Sequence, residues 1–233
     1  GPTMRYFRDA GVRGVFAQGN GRCPAGEMSD LRTYVVSRLL WNPDLDAEAL
    51  VDEFLTLHYG AQAGAIREYL RIVQETPTPE LHPAIFSSAY AMRFTKETAE
   101  SVMHTFDRAI AEAGRDDVRR RLRKASLPGH RLMAECAGTL SYAKGLLFVE
   151  YPQEVQPYLI RYPSLCAEFG MDRNGEFTPM AAYFESLQRN IVGASAERLE
   201  NEFWGITFSP AMRGVPVDLL HKRTGSKLFH AYG

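Results

Sequence analysis

The sequence predicts a mainly α-helical protein with one isolated β-strand near its start and a short β-hairpin at its end. Apolar residues recur at i, i+3 and i+4 through most of the 233 residues, which is typical of amphipathic helices. The stretch GVRGVFAQGN, residues 11–20, has an apolar core followed by a polar exit, as a buried strand that leads into a loop would have. Near the end, two strand-like runs flank a turn at residues 223–225, which favours a hairpin.

The composition is that of an ordinary globular protein, with 45% hydrophobic and 24% charged residues and a formal net charge of -1. This balance gives no reason to expect a nucleic acid or a membrane as a partner. The basic run RRRLRK, residues 119–124, is better explained as the solvated face of a helix. The apolar run at 146–149 is far too short to span a bilayer.

The cysteine and histidine residues give no sign of a metal site or a cofactor. Three widely spaced cysteines (Cys23, Cys136 and Cys166) form neither a disulfide framework nor a C-x-x-C motif. The histidines are scattered and show no H-E-x-x-H spacing. We therefore expect no metal and no cofactor.

The first elements follow the order helix, glycine, strand, polar loop and helix, which is typical of an α/β unit. A helix over residues 3–10 is expected to end at Gly11, and the strand covers residues 12–16. The next helix begins near Glu27 and ends before Pro43. Because the N–H and C=O groups of a single strand need neighbours, its pairing partners are expected in another segment.

Helices are predicted for most of the chain after this unit. Asp46 is a good N-cap for one of them, and Gly60 ends it. Thr95 caps another. The predicted ranges are 27–41, 46–59, 62–75, 95–113, 116–149 with an interruption at 128–129, 154–169 and 178–192. The first three of these helices are expected to pack as one layer.

Two sequence runs, GVRGVFAQGN and GEMSDLRTYVVSRLLWNPDLDAEALVDEFLTLHYG, carry a resemblance to a known family. Over residues 3–75 the chain resembles an uncharacterised domain family of α-glucuronidase-like glycoside hydrolases. The resemblance implies that residues 1–41 are the last β/α unit of a truncated (β/α)8 barrel. It further implies a helical domain over 42–203 and the start of a β-rich domain over 204–233. The remaining barrel strands and a β-sandwich would then belong to segments outside this piece.

The loop after the strand is the predicted substrate-binding site, because barrel enzymes build their sites at the carboxyl ends of strands. The amides of Gln18 and Asn20 are suited to sugar hydroxyls, Arg22 to a carboxylate, and Glu27 is the nearest carboxylate. Alternatively, Gln18 and Asn20 satisfy loop backbone groups, and Glu27 lies in a helix first turn for electrostatic reasons. Catalytic residues remain unknown, since the resemblance places them on earlier strands.

Trp41 ends the helix that begins near Glu27, directly before Asn42-Pro43. A large aromatic residue at such a place usually packs in the junction between helices, so we expect Trp41 to be buried there. Stacking on a sugar ring is the alternative.

Three functions remain open. The leading prediction is a fragment of a carbohydrate-active glycoside hydrolase, with carbohydrate and the missing barrel and β-sandwich segments as partners and no activity of its own. The second is a non-catalytic helical interaction or dimerisation module, for which a homodimer is one form. The third is an unrelated helical protein whose strand pairs with another chain. The compartment stays open, although polysaccharide-degrading enzymes are often exported.

Overall fold

The computed structural model describes residues 1–17, 27–76, 89, 92–143, 145–174, 178–189, 194–209 and 216–230. The helices in these ranges are α1 (Pro2–Asp9), α2 (Ser29–Trp41), α3 (Ala47–Tyr59), α4 (Ala63–Glu75), α5 (Lys96–Glu112), α6 (Asp116–Ala125), α7 (Leu127–Cys136), α8 (Gln156–Glu168) and α9 (Met180–Arg189). The strands are β1 (Thr139–Ala143), β2 (Leu146–Glu150), β3 (Arg173–Asn174), β4 (Thr178–Pro179), β5 (Ala194–Ser195), β6 (Glu197–Glu200), β7 (Trp204–Phe208), β8 (Pro216–His221) and β9 (Ser226–His230). The predicted mainly helical class is therefore confirmed, and the described strands form small antiparallel sheets.

The predicted strand at 12–16 is wrong. Gly11 ends α1 with a φ of +73°, as expected for a left-handed helix end, but residues 12–17 then run without regular secondary structure. A strand exists only when its backbone groups pair with a neighbour, and no described strand pairs with this segment. All strand pairs among the described residues are antiparallel, so none of them shows the parallel pairing of barrel strands.

The layer of helices α2, α3 and α4 forms where the sequence predicted it. α2 packs on α3, α3 on α4, and α4 on α5. The side chain of Asp46 caps α3 by accepting hydrogen bonds from the backbone N–H groups of Glu48 and Ala49. The core between this layer and α5 contains Ile66, Tyr69 and Phe106, whose exposed fractions are all 0%.

The interruption predicted at Pro128-Gly129 occurs slightly earlier, at Ser126 between α6 and α7. Pro128 lies in the first turn of α7, where its missing N–H group breaks no helical hydrogen bond. The next residue, Gly129, lies very close to α5: a Cβ atom at this position would come within 2.6 Å of the Met103 sulfur. α7 also packs on α8, and a second core cluster is formed by Leu127, Ala134, Tyr162, Leu165, Cys166, Phe169, Met180 and Tyr183.

The helix predicted to continue to residue 149 is wrong, since α7 ends at Cys136 and a β-hairpin follows. β1 and β2 pair from Thr139↔Glu150 to Ala143↔Leu146, which leaves a two-residue loop. Gly145 takes a φ of +76° in that loop, a conformation that glycine adopts without a steric penalty. A two-residue connection with glycine between apolar runs is a hairpin signal, and it outweighs the helical spacing of the same residues.

The predicted C-terminal hairpin is confirmed as β8 and β9, and it belongs to a larger sheet. β6 and β7 extend it to a four-stranded antiparallel sheet in the order β6-β7-β8-β9. The domain boundary predicted at 203/204 falls between β6 and β7, which are paired with each other. Among the described residues, no helix has the length and apolarity needed to cross a membrane.

Candidate functional site

Only one of the four predicted substrate-binding residues lies in the part of the chain that the structure describes. Gln18, Asn20 and Arg22 lie outside the described residues. Glu27 directly precedes Met28, the N-cap of α2, so the first turn of that helix contains Asp30 instead. Glu27 is exposed, and its Oε1 atom accepts a 2.7 Å hydrogen bond from the hydroxyl group of Tyr69.

Tyr69 is a fully buried residue of α4 whose hydroxyl group reaches out of the helical core. Burial, together with the nearby negative charge of Glu27, raises the pKa of Tyr69 well above its usual value. The phenol therefore remains a neutral hydrogen-bond donor at ordinary pH. The hydrogen bond from Tyr69 fixes Glu27, which is the last of the predicted sugar-binding residues in the sequence.

A cavity of about 160 Å³ lies beside this hydrogen bond, and we call it the Arg131 cavity. It is bordered by α4, α7 and α8, and by Ala89, Met92, Phe94 and Met171. The polar side chains on its lining are those of Glu27, Tyr69, Arg131, Glu135 and Tyr162. The rest of the lining is aliphatic and aromatic, and it includes Val73, Met92, Phe94, Leu132 and Met171.

The carboxylate of Glu135 is saturated by hydrogen bonds on both oxygens. Its Oε1 atom accepts from Nε of Arg131 at 2.7 Å and from the hydroxyl group of Tyr183 at 2.8 Å. Its Oε2 atom accepts from the backbone N–H group of Ala89 at 3.2 Å. With three donors, this largely buried charge is stabilised within the fold, and it holds the guanidinium group of Arg131 in a fixed orientation.

Backbone strain occurs next to the cavity. Met28 has a φ of +46° and Arg93 a φ of +60°, and no other described non-glycine residue has a positive φ. Met28 follows Glu27, and Arg93 lies between the lining residues Met92 and Phe94. A left-handed conformation of such residues costs about 1–2 kcal/mol each, and strain of this kind often occurs at binding sites.

A second concave surface, of about 720 Å³, lies between α1, residues 11–15 and the end of α2, and we call it the Trp41 groove. The packing role expected for Trp41 is wrong, since Trp41 is 91% exposed on the lining of this groove. Phe16, which follows the lining residue Val15, is 90% exposed. Trp41 is the last residue of α2, and the residue after it is extended. An ion pair of 2.8 Å between Arg8 and Asp44 holds α1 beside the groove.

The basic run on α6 is accounted for by contacts within the protein. Four of its cations form ion pairs, namely Arg119 with Asp116, Arg121 with Asp117, Arg123 with Glu168 and Lys124 with Asp30. Arg120 lies over the ring of Phe169 at 5.2 Å. Among the described residues, no group of three or more His, Cys, Asp or Glu side chains is placed to hold a metal ion.

Sequence reasoning missed Tyr69, Arg131 and Glu135 as members of a site. Arg131 and Glu135 have an i,i+4 spacing, which is equally typical of an ordinary helix surface pair. Tyr69 is one of several apolar positions on α4, and nothing in its neighbours singles it out. Only the tertiary fold, in which α4 and α7 both pack on α5, brings these residues to the same cavity as Glu27.

The described residues thus define a helical protein with two concave surfaces that combine aromatic and charged side chains. Residues 1–71 match a family model described as a domain of unknown function, DUF4838. This agrees with the coarser part of the sequence prediction, an uncharacterised domain family over residues 3–75. No curated protein and no solved structure matches the chain.

Proposed function

We propose that this chain is a piece of a carbohydrate-active, α-glucuronidase-like glycoside hydrolase. In that role it supports a barrel and contributes one substrate-facing segment, residues 18–27. The proposal rests on the resemblance of the GVRGVFAQGN and LLWNPDLDAEALVDEF runs to that family. The catalytic acid and base would then belong to other segments of the intact protein, because glycoside hydrolysis needs two carboxyl groups held at a fixed separation.

The exposure of Trp41 is the observation that carries the proposal. An indole ring that is 91% exposed beside a groove of about 720 Å³ is available to stack on the C–H face of a sugar. The groove falls within the size range of ligand sites, roughly 300–1,000 Å³. Phe16, which is nearly as exposed, adds a second aromatic face next to the groove.

The predicted hydrogen-bonding residues follow Phe16 directly in sequence. Gln18, Asn20 and Arg22 would supply donors and acceptors to sugar hydroxyls, each neutral hydrogen bond contributing about 0.5–1.5 kcal/mol. At the other end of the segment, the bond from Tyr69 to Glu27 anchors the chain to the helical layer. A polar segment that begins beside exposed aromatic rings and ends at a fixed carboxylate is a suitable arrangement for a sugar-binding loop.

The test is a calorimetric titration of the chain, and of the intact protein, with neutral and uronic-acid oligosaccharides. Trp41→Ala is expected to weaken binding about tenfold, or about 1.4 kcal/mol. Leu57→Ala, a matched change at a residue of α3 that is 73% exposed, is expected to leave affinity unchanged. The proposal fails if no oligosaccharide binds to the intact protein, or if Trp41→Ala binds as well as the parent sequence.

A non-catalytic helical interaction module is the second candidate, and the same surface favours it. Exposed large apolar side chains cluster on α1, on residues 12–16 and at the end of α2: Tyr6, Val12, Val15, Phe16, Leu40 and Trp41. Contiguous apolar patches of this kind are typical of protein contact surfaces. Self-association that Trp41→Ala abolishes, measured by sedimentation in a protein that binds no sugar, would favour this candidate.

A further inference from the structure

We infer that the Arg131 cavity binds a small aromatic carboxylate, with the ring in the apolar part of the cavity and the carboxylate on Arg131. This goes beyond the proposed sugar-binding role, because the cavity lies between α4 and α7 rather than at the Trp41 groove. The two surfaces share no lining residue that the structure describes. Glu27 ends the proposed substrate-facing segment and also lines the cavity, but the carboxylate site is on Arg131, so the two proposals are tested by different variants.

The size and lining of the cavity fit one aromatic ring. Its volume is about 160 Å³, and a cavity of about 150 Å³ lined by aliphatic and aromatic side chains is large enough to bind benzene. The walls are formed mainly by Val73, Met92, Phe94, Leu132 and Met171. Such walls favour a flat apolar body, and their shape gives little room for several hydroxyl groups that all need partners.

The guanidinium group of Arg131 is the proposed binding site for the carboxylate. Its Nε atom donates to Glu135, and among the described residues its two terminal nitrogens have no hydrogen-bond partner. Two adjacent N–H groups of a guanidinium match the two oxygens of a carboxylate. Glu135 does not need Arg131 exclusively, since Tyr183 and the Ala89 N–H group also bind it.

The other charged side chains on the lining, Glu135 and Glu27, decide between an anion and a cation. Glu135 already accepts three hydrogen bonds, one of them from Arg131, so its charge is compensated within the fold. Glu27 would favour a cation, but it is exposed and one of its oxygens is bound by Tyr69. Water screens an exposed charge more strongly than the partly buried Arg131, so the balance favours an anion.

The test compares three probes that share one ring: benzoate, the neutral benzamide and the cationic benzylamine. Binding is measured by calorimetry and by ligand-observed NMR. Benzoate is expected to bind at least about tenfold more tightly than the other two. Arg131→Met should reduce benzoate to the affinity of benzamide, whereas Arg123→Met, which removes an ion-paired arginine of α6 outside the cavity, should change nothing.

A second variant keeps the test decisive if Arg131→Met does not fold. Val73→Phe fills the cavity from α4 and should abolish binding of all three probes while the protein remains cooperatively folded. Trp41→Ala, in the other groove, should leave benzoate affinity unchanged. Tighter binding of benzylamine, benzoate binding that survives both Arg131→Met and Val73→Phe, or no binding of any probe would each overturn the inference.

Discussion

The hydroxyl group of Tyr69 donates a 2.7 Å hydrogen bond to the carboxylate of Glu27, which joins the segment before α2 to the centre of the helical core. Tyr69 is fully buried, and its ring lies 5.0 Å from that of Phe106 on α5. The position of Glu27 is therefore determined by residues that are distant in sequence. This bond fixes Glu27, the last residue of the proposed substrate-facing segment, to the helical layer.

Tyr69→Phe tests the strength of this anchor. The change removes the donor but keeps the buried ring, and Glu27 can be hydrated because it is exposed. We expect the free energy of unfolding to fall by about 1 kcal/mol, as for the loss of a typical hydrogen bond. Urea unfolding measures this free energy. Tyr6→Phe is the control, because Tyr6 is 69% exposed. Equal stability of Tyr69→Phe and the parent sequence would show that the bond contributes nothing.

Gly129→Ala tests the close approach of α7 to α5. Alanine favours a helix over glycine by about 1 kcal/mol. At this position, however, the new methyl group would lie 2.6 Å from Sδ of Met103 and 3.0 Å from Cγ1 of Val102, both buried. Overpacking of this kind costs about 1–3 kcal/mol, so the net effect should be destabilising.

Gly64→Ala is the matched control for that change, because a Cβ atom at Gly64 in α4 meets nothing within 4 Å. It should stabilise the protein by up to about 1 kcal/mol. The melting temperatures of the two variants should therefore move in opposite directions. A Gly129→Ala protein as stable as Gly64→Ala would mean that α5 and α7 are further apart than described.

His130 should make the stability of the protein depend on pH below neutrality. The residue is 1% exposed, Nδ1 lies 3.0 Å from the carbonyl oxygen of Ser126, and Nε2 has no hydrogen-bond partner among the described residues. Burial lowers the pKa of His130. The unfolded chain therefore takes up the proton first, so stability is complete above about pH 6.5 and is lost as the pH falls towards the folded-state pKa.

His130→Leu should flatten this dependence. Urea midpoints between pH 8 and pH 5 are the measurement, and His104→Leu, at an exposed position of α5, should keep the slope of the parent sequence. If His130→Leu loses stability on acidification as steeply as the parent sequence, then another group is responsible for the slope.

Local signals predicted much of the fold, because those signals act within a few residues. Asp46 caps α3 through the backbone N–H groups of the second and third residues after it, and Gly11 ends α1 through its own backbone conformation. The errors arose where tertiary pairing, or a second local signal that opposes the first, decides the secondary structure. The segment after Gly11 has strand composition but no pairing partner among the described residues, and Gly145 converts an apolar helical pattern into a hairpin.

The candidate site was predictable only in part. Glu27 was singled out from its place after a polar loop and lies on the lining of the Arg131 cavity, while its role in binding a sugar stays a prediction. The other polar residues of the cavity come from two helices, Tyr69 from α4 and the pair Arg131 and Glu135 from α7. The spacing of residues in one sequence does not show how these two helices are placed relative to each other. The burial of Trp41 was wrongly predicted, since the usual behaviour of a tryptophan at a helix junction does not reveal which surface the junction faces.

The most direct test of the carbohydrate proposal uses the fluorescence of Trp41 alone. The chain contains two tryptophans, Trp41 and Trp204, so Trp204→Phe leaves Trp41 as the single reporter. Its emission should be that of a water-exposed indole, quenched freely by acrylamide. Addition of neutral and uronic-acid oligosaccharides should shift the emission saturably and protect the indole from acrylamide. An emission spectrum and an acrylamide quenching constant that no oligosaccharide changes would contradict the account.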